Sequence, residues 1–215
     1  MTSKMFTAQE QAIIEDLMLH RRDIRGNNFL PDAVTDEEIE KILHAASLAP
    51  SVGFSQPWQF VIIKDKQIKQ QVLTSFEQCN QTAQQAFSGK QQTLYNELKL
   101  EGIVEAPVNI AVFYQNPSAP ILGQNSMPEM GEYSVVCAIQ NMWLMSRAMN
   151  LGLGWVSILN PEEVKEIVKA PSDHKLIAYL CLGHVKKFHA TPELERLEWE
   201  KRKNLALAVH HESFS

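Results

Sequence analysis

Apolar residues recur with a helical period in five stretches of this chain and condense into short unbroken runs in four others. Over 8–20, Ile13, Ile14, Leu17 and Met18 share one side of a helix. Thr35 followed by Glu38 is a capping-box signature. Behind it Ile39, Ile42, Leu43 and Ala46 fall on one face, and Pro50 ends the helix. Helical spacing resumes over 65–76. The stretch 134–150 is apolar on nearly all sides, through Val135, Val136, Ile139, Trp143 and Leu144. That pattern predicts a central helix buried on several faces or shared with a partner subunit, with Gly152 as its stop. Asn160 and Pro161 supply the cap and first position of a last helix. The runs at 59–64, 108–114, 154–159 and 176–185 predict short strands. The polar region 78–92 fits a mobile helix or lid better than a linker, and the charged tail from Pro192 is long enough to wrap over another subunit. Strands and helices interleave without repeats, which predicts one α+β domain over 1–215, a sheet flanked by helices.

Composition narrows the function. Hydrophobic residues make up 45% and charged residues 21% of the 215, so a sizeable core is expected without a metal or disulfide staple. The net charge of −5 argues against a global grip on nucleic acid, so any anionic ligand needs a local cationic site. Cys79, Cys137 and Cys181 are odd in number and far apart, which predicts buried, reduced thiols in a cytoplasmic protein. No stretch approaches the roughly 20 apolar residues of a membrane span, and the first residues do not have the make-up of a secretory signal.

Three segments could carry chemistry. Arg21-Arg22-Asp23-Ile24-Arg25 gathers three guanidinium groups on an acidic protein. It suits a phosphate-bearing ligand and, equally on spacing alone, a solvated helix end. Asp23 among those cations is expected to be ionised, whether as an arginine's partner or as a base facing a ligand. The run Ala49 to Trp58 joins a helix to a strand with two prolines, a glycine and the polar Ser51, Ser55 and Gln56, which can hydrogen-bond a planar polar ligand. In the third, Gly152 and Gly154 let backbone approach a flat ring, while Ser157 alone reads no further than a strand hydroxyl. Neither a GxGxxG phosphate loop nor a GxSxG elbow is present. The histidines lack metal-ligand spacing, so no metal is assigned.

Together these segments resemble the flavin-dependent nitroreductase family, whose landmarks are an N-terminal Arg-Arg-x-x-Arg, an Ala-Pro-Ser then Gln-Pro-Trp segment, and a late Gly-Leu-Gly. Asp23 within the arginine string, the run Lys99-Leu100-Glu101-Gly102-Ile103 and Gly154-Trp155-Val156-Ser157 are similar to the flavin-fragmenting branch of that family. The resemblance spans about 21–202. It implies an FMN-dependent fold with a mainly antiparallel central sheet, and a homodimer with two FMN sites at its interface. Reduced FMN is then the substrate, supplied by a separate flavin reductase. With O2 it is fragmented to 5,6-dimethylbenzimidazole, the lower ligand of vitamin B12, and erythrose 4-phosphate. The resemblance assigns Asp23 and Ser157 to catalysis. It assigns flavin contacts to Arg21, Arg22, Asp23, Ile24, Arg25, Ser51, Gly53, Gln56, Lys99, Leu100, Gly154, Ser157 and Arg202, with Lys99 and Leu100 in a water-excluding lid. The loop Gly26-Asn27-Asn28-Phe29 is one residue longer than the family's form, which predicts a local bulge. An NAD(P)H-dependent FMN nitroreductase or dehalogenase, and a non-catalytic flavin-binding protein, are the alternatives.

Overall fold

Four strands form one antiparallel sheet in the order β1-β2-β4-β3, where β1 is Trp58–Ile63, β2 Val108–Gln115, β3 Gly152–Val156 and β4 His174–Gly183. The computed structural model describes residues 3–214. Among the described residues seven α-helices accompany the sheet: α1 (Ala8–His20), α2 (Asp36–Ser47), α3 (Lys66–Gln84), α4 (Gly89–Glu97), α5 (Met130–Ala148), α6 (Pro161–Ile167) and the single turn α7 (Glu193–Arg196).

Alternation along β2 divides the core in two. Val108, Ile110, Val112 and Tyr114 face α2 and α5, packing with Ile39, Ile42, Val135, Ile139 and Met142. Ala111 and Phe113 face the other way, towards Val72, Phe76 and Val164 of α3 and α6. The α2 face expected from spacing is the one buried, and the Thr35–Glu38 capping box forms in both directions.

Several boundaries depart from the sequence pattern. Helix α5 is stopped by Asn150 in the left-handed region (φ 58°), not by Gly152. Leu151 N–H reaches back to the Ser146 carbonyl at 2.8 Å, which closes the helix end. Gly152 instead opens β3, where a Cβ would lie 2.3 Å from Val185. Because β3 therefore runs Gly152–Val156, Ser157 lies beyond the strand and is exposed. Helix α3 continues past residue 76 to Gln84, since its glutamines solvate an exposed face without breaking the helix. Residues Gly26–Asn28 form a 3-10 turn that seats Phe29 in the core, paired with Val185.

Two helices leave apolar surface uncovered. Helix α1 buries no residue, and Ile13, Ile14, Met18 and Leu19 are exposed. Helix α5 buries Val135, Ala138, Ile139 and Met142 but exposes Tyr133, Val136 and Cys137 on its other side. Cys137 thus departs from the expected burial, because it points away from the sheet; all three cysteines are free thiols.

Candidate functional site

The arginine string leaves the C-terminal end of α1 and runs beside edge strand β3. Asp23 bridges Leu153 in parallel, and Ile24 N–H donates to the Leu153 carbonyl. Gly154 makes this approach possible: a Cβ there would sit 2.1 Å from the Ile24 carbonyl oxygen. Its glycine is explained by backbone meeting backbone. Ile24 itself is buried core.

The three arginines have distinct surroundings. Arg21 caps α1 and lies over the Trp143 ring, 4.8 Å from its centroid. Arg22, 8% exposed, donates to the carbonyls of Leu19, Arg21, His189 and Ala190. Four of its five N–H groups thus tie the end of α1 to the start of the C-terminal tail. Arg25 pairs with Asp23 and donates to the carbonyls of Leu100 and Trp155.

Asp23 Oδ1 accepts from the Trp155 N–H at 3.0 Å. Its side chain keeps 31% of its surface accessible, through the adjoining cavity. Burial raises its pKa and outweighs the lowering by Arg25, the Trp155 amide and Arg21. The direction is opposite to that of the neighbouring cations alone: the surrounding protein strips more solvation from the carboxylate than they restore.

Lys99 is held by two carboxylates. It pairs with Glu101, which is 4% exposed, and with Glu105 at 2.9 Å. Burial pulls the ammonium's pKa down, yet the combined pull of Glu101 and Glu105 leaves it raised. The segment carrying Lys99 is pinned along its length. Leu100 accepts from Arg25, the Glu101 carbonyl accepts from Gly26 N–H, and Ile103 N–H donates to the Glu101 carboxylate. Sequence reasoning passed over Glu101, although it sits inside the Lys99–Ile103 run; Glu105 carries no pattern signal.

One cavity of about 150 Å³ gathers Arg21, Arg22, Asp23, Arg25, Lys99, Leu100 and Arg202. A neighbouring cavity shares Arg22, Asp23 and Arg25 and adds Lys186, Lys187 and His189. The loop 51–56 lies elsewhere. Gln56 and the buried, unpartnered Ser55 hydroxyl line a cavity of about 340 Å³ with Tyr114 and Gln124, and it shares no residue with the arginine cavity. Three residues of that loop, Gly53, Phe54 and Gln56, adopt positive φ. Ser51 Oγ accepts the Gln56 N–H, and a Cβ on Gly53 would meet Ile121 at 2.7 Å. Among the described residues no group of three or more His, Cys, Asp and Glu could hold a metal, and no helix is long and apolar enough to cross a membrane.

The sequence profile of the nitroreductase family matches residues 18–184. The chain belongs to the nitroreductase family. Within it, the chain is 40% identical over 204 residues to the 5,6-dimethylbenzimidazole synthase of Rhodospirillum rubrum, covering 94% of this chain and 96% of that one. It is 35% identical to the enzyme of the same name from Rhodobacter capsulatus, over 91% and 95% of the two chains. The family fold recurs in oxidized iodotyrosine deiodinase bound to FMN and 3-iodo-L-tyrosine, with TM-score 0.74, 23% identity and coverage of 94% and 100%. A BluB-like flavoprotein from Clostridium difficile 630 superposes with TM-score 0.70, 21% identity and coverage of 93% and 99%.

Proposed function

We infer that this nitroreductase-family protein catalyses the 5,6-dimethylbenzimidazole synthase reaction. Reduced FMN, consumed with molecular oxygen, supplies both the electrons and the carbon skeleton of the product, and erythrose 4-phosphate leaves. The observation that carries this reading is a carboxylate of raised pKa set in a cationic cavity, in a chain 40% identical to a named synthase.

The residues fit a phosphate-tailed flavin. Arg21 and Arg202 bring charge to one cavity on an acidic chain, beside Arg25 and Lys99, which already pair with Asp23 and with Glu101 and Glu105. Guanidinium forks suit phosphate oxygens. Arg22 acts mainly by holding the cavity's wall, through its four carbonyl bonds. Asp23, with its pKa shifted towards neutrality, suits proton removal from the ribityl side of the bound substrate. The Trp155 amide fixes the direction of its carboxylate. Ser157, two residues beyond Trp155, orients a flavin heteroatom in this proposal.

The complete site belongs to a homodimer. A 150 Å³ cavity suits the phosphate end of FMN and is smaller than the roughly 300–1,000 Å³ typical of ligand pockets. Gln56 lines a separate cavity, and Ser51 and Gly53 belong to the same loop, so in this reading a second copy supplies them. The uncovered apolar sides of α1 and α5 are the surfaces available for that association. Reduced FMN then comes from a separate flavin reductase.

The deciding experiment is incubation of the protein with chemically reduced FMN, followed by air. Loss of the flavin spectrum with a new benzimidazole peak is expected. Simple reoxidation of the flavin would instead mark an ordinary nitroreductase. Wild-type product formation by both Asp23→Asn and Ser157→Gly would remove the catalytic roles.

A further inference from the structure

The tail that brings Arg202 to the arginine cavity also lines it with Pro192, Glu193 and Leu194, and makes few hydrogen bonds to the rest of the fold. Arg22 fixes its start at His189 and Ala190. From there to Arg202, its hydrogen bonds are internal to the tail. Trp199 is the tail's aromatic contact with the rest of the fold: it packs edge-on to Phe87, with centroids 5.2 Å apart, and against Tyr95 at 6.2 Å. Phe87 and Tyr95 stack on each other at 5.0 Å. Phe87 lies in the connection between α3 and α4, and Tyr95 lies on α4. Tyr95 is itself secured, since its hydroxyl donates to Asn80 Oδ1 of α3 at 2.6 Å. A surface cleft beside the cluster is shared by Lys90, Leu94 and Glu97 of α4 with Leu197 and Glu198 of the tail, so the two segments lie alongside each other.

We propose that Trp199 is a positioning residue for flavin binding: its seat on Phe87 and Tyr95 latches the tail to the α3–α4 hairpin and sets Arg202 at the cavity. The latch works at both ends of the cavity wall. Helix α4 runs directly into Leu98, Lys99 and Leu100, and Trp199 stands three residues before Arg202. The same aromatic cluster therefore couples the segment carrying Lys99 to the segment carrying Arg202. Without it, Arg202 sits on an exposed tail and must be ordered at each binding event, which weakens binding through lost preorganisation. This inference rests on the reading that the arginine cavity takes the phosphate end of FMN.

A double-mutant cycle on FMN affinity, measured with the full-length protein by flavin fluorescence, tests the proposal. Arg202→Ala is the control, expected to weaken binding roughly 10- to 100-fold as loss of a charged contact. Trp199→Ala is expected to weaken it about three- to ten-fold, the scale of a lost aromatic pair. In the Arg202→Ala background the further loss on Trp199→Ala should be much smaller than in wild type. Trp199→Phe should restore most of the affinity, and Phe87→Leu should reproduce the Trp199→Ala loss from the other side of the latch. Limited proteolysis should cut the tail faster in Trp199→Ala and Phe87→Leu than in wild type. Additive losses in the double mutant, or unchanged affinity in both Trp199→Ala and Phe87→Leu, would overturn the latch. Unchanged affinity in Arg202→Ala would instead overturn the assignment of the cavity.

Discussion

Asp23 shows how far one residue's chemistry depends on what encloses it. Three neighbouring arginines suggest a depressed pKa, yet burial raises it. A carboxylate whose folded-state pKa exceeds its unfolded value of about 3.9 keeps the folded protein more protonated than the unfolded chain between those two values. Stability contributed by the protonated group is thus fully present below about pH 4 and is lost as pH rises through the folded pKa. Asparagine does not titrate. Thermal midpoints of Asp23→Asn, measured from pH 4 to 7, should therefore rise relative to wild type as pH increases. A difference that shrinks with pH would mean that Arg25 and the Trp155 amide dominate after all. Lys69 is a second buried charge with no carboxylate partner. Its ammonium donates to the carbonyls of Ala106 and Pro107, and burial lowers its pKa. Helical spacing gave no hint of it, since a lysine on α3 looks solvent-facing until the strand entry before Val108 packs over it.

At the scale of elements, legibility followed local physics. The α2 face, the Thr35 cap and the Asn160 cap rest on contacts within a few residues of one another, and they form as the pattern implies. The stop of α5 and the start of β3 rest on tertiary contact, and there the pattern misleads. Gly152 reads as a helix stop, but its glycine is required by Val185 and Ile24 packed against β3. The candidate site divides the same way. The arginine string is visible as composition, while the Trp155 amide and Trp199 act through partners tens of residues away. Gly154 allows a test of this level. A methyl group there collides with the Ile24 carbonyl, a backbone atom that cannot rotate away. Gly154→Ala should cost about 1–3 kcal/mol in denaturant unfolding, the usual scale of overpacking. It should also weaken FMN binding, because the displaced segment carries Asp23 and Arg25. Unchanged stability and affinity would mean that the string is not held by β3.

Across the whole molecule, one chain presents two cavities that share no lining residue, the two halves of the proposed flavin site. The arginine cavity adjoins β3 and the tail; the Ser55–Gln56 cavity opens beside Tyr114 and the loop before α5. Apolar side chains of α1 and α5 stand exposed, and an association that covers them also has the means to bring one chain's loop to the other's arginines. Val136 is suited to testing this, since it is exposed on α5 and contributes to neither cavity. Val136→Glu places a charge on the proposed contact without altering the buried face of the helix, so the isolated chain should keep its fold by circular dichroism. Burying an unpaired carboxylate at an interface is strongly unfavourable, so light scattering after size exclusion should show a shift from dimer to monomer. The monomer should retain weak affinity for inorganic phosphate through its arginines but lose tight binding of FMN, because Gln56 and its neighbours are no longer opposite them. A Val136→Glu monomer that binds FMN as tightly as wild type would show that one chain holds the flavin unaided, and the separation of the two cavities would then have no functional meaning.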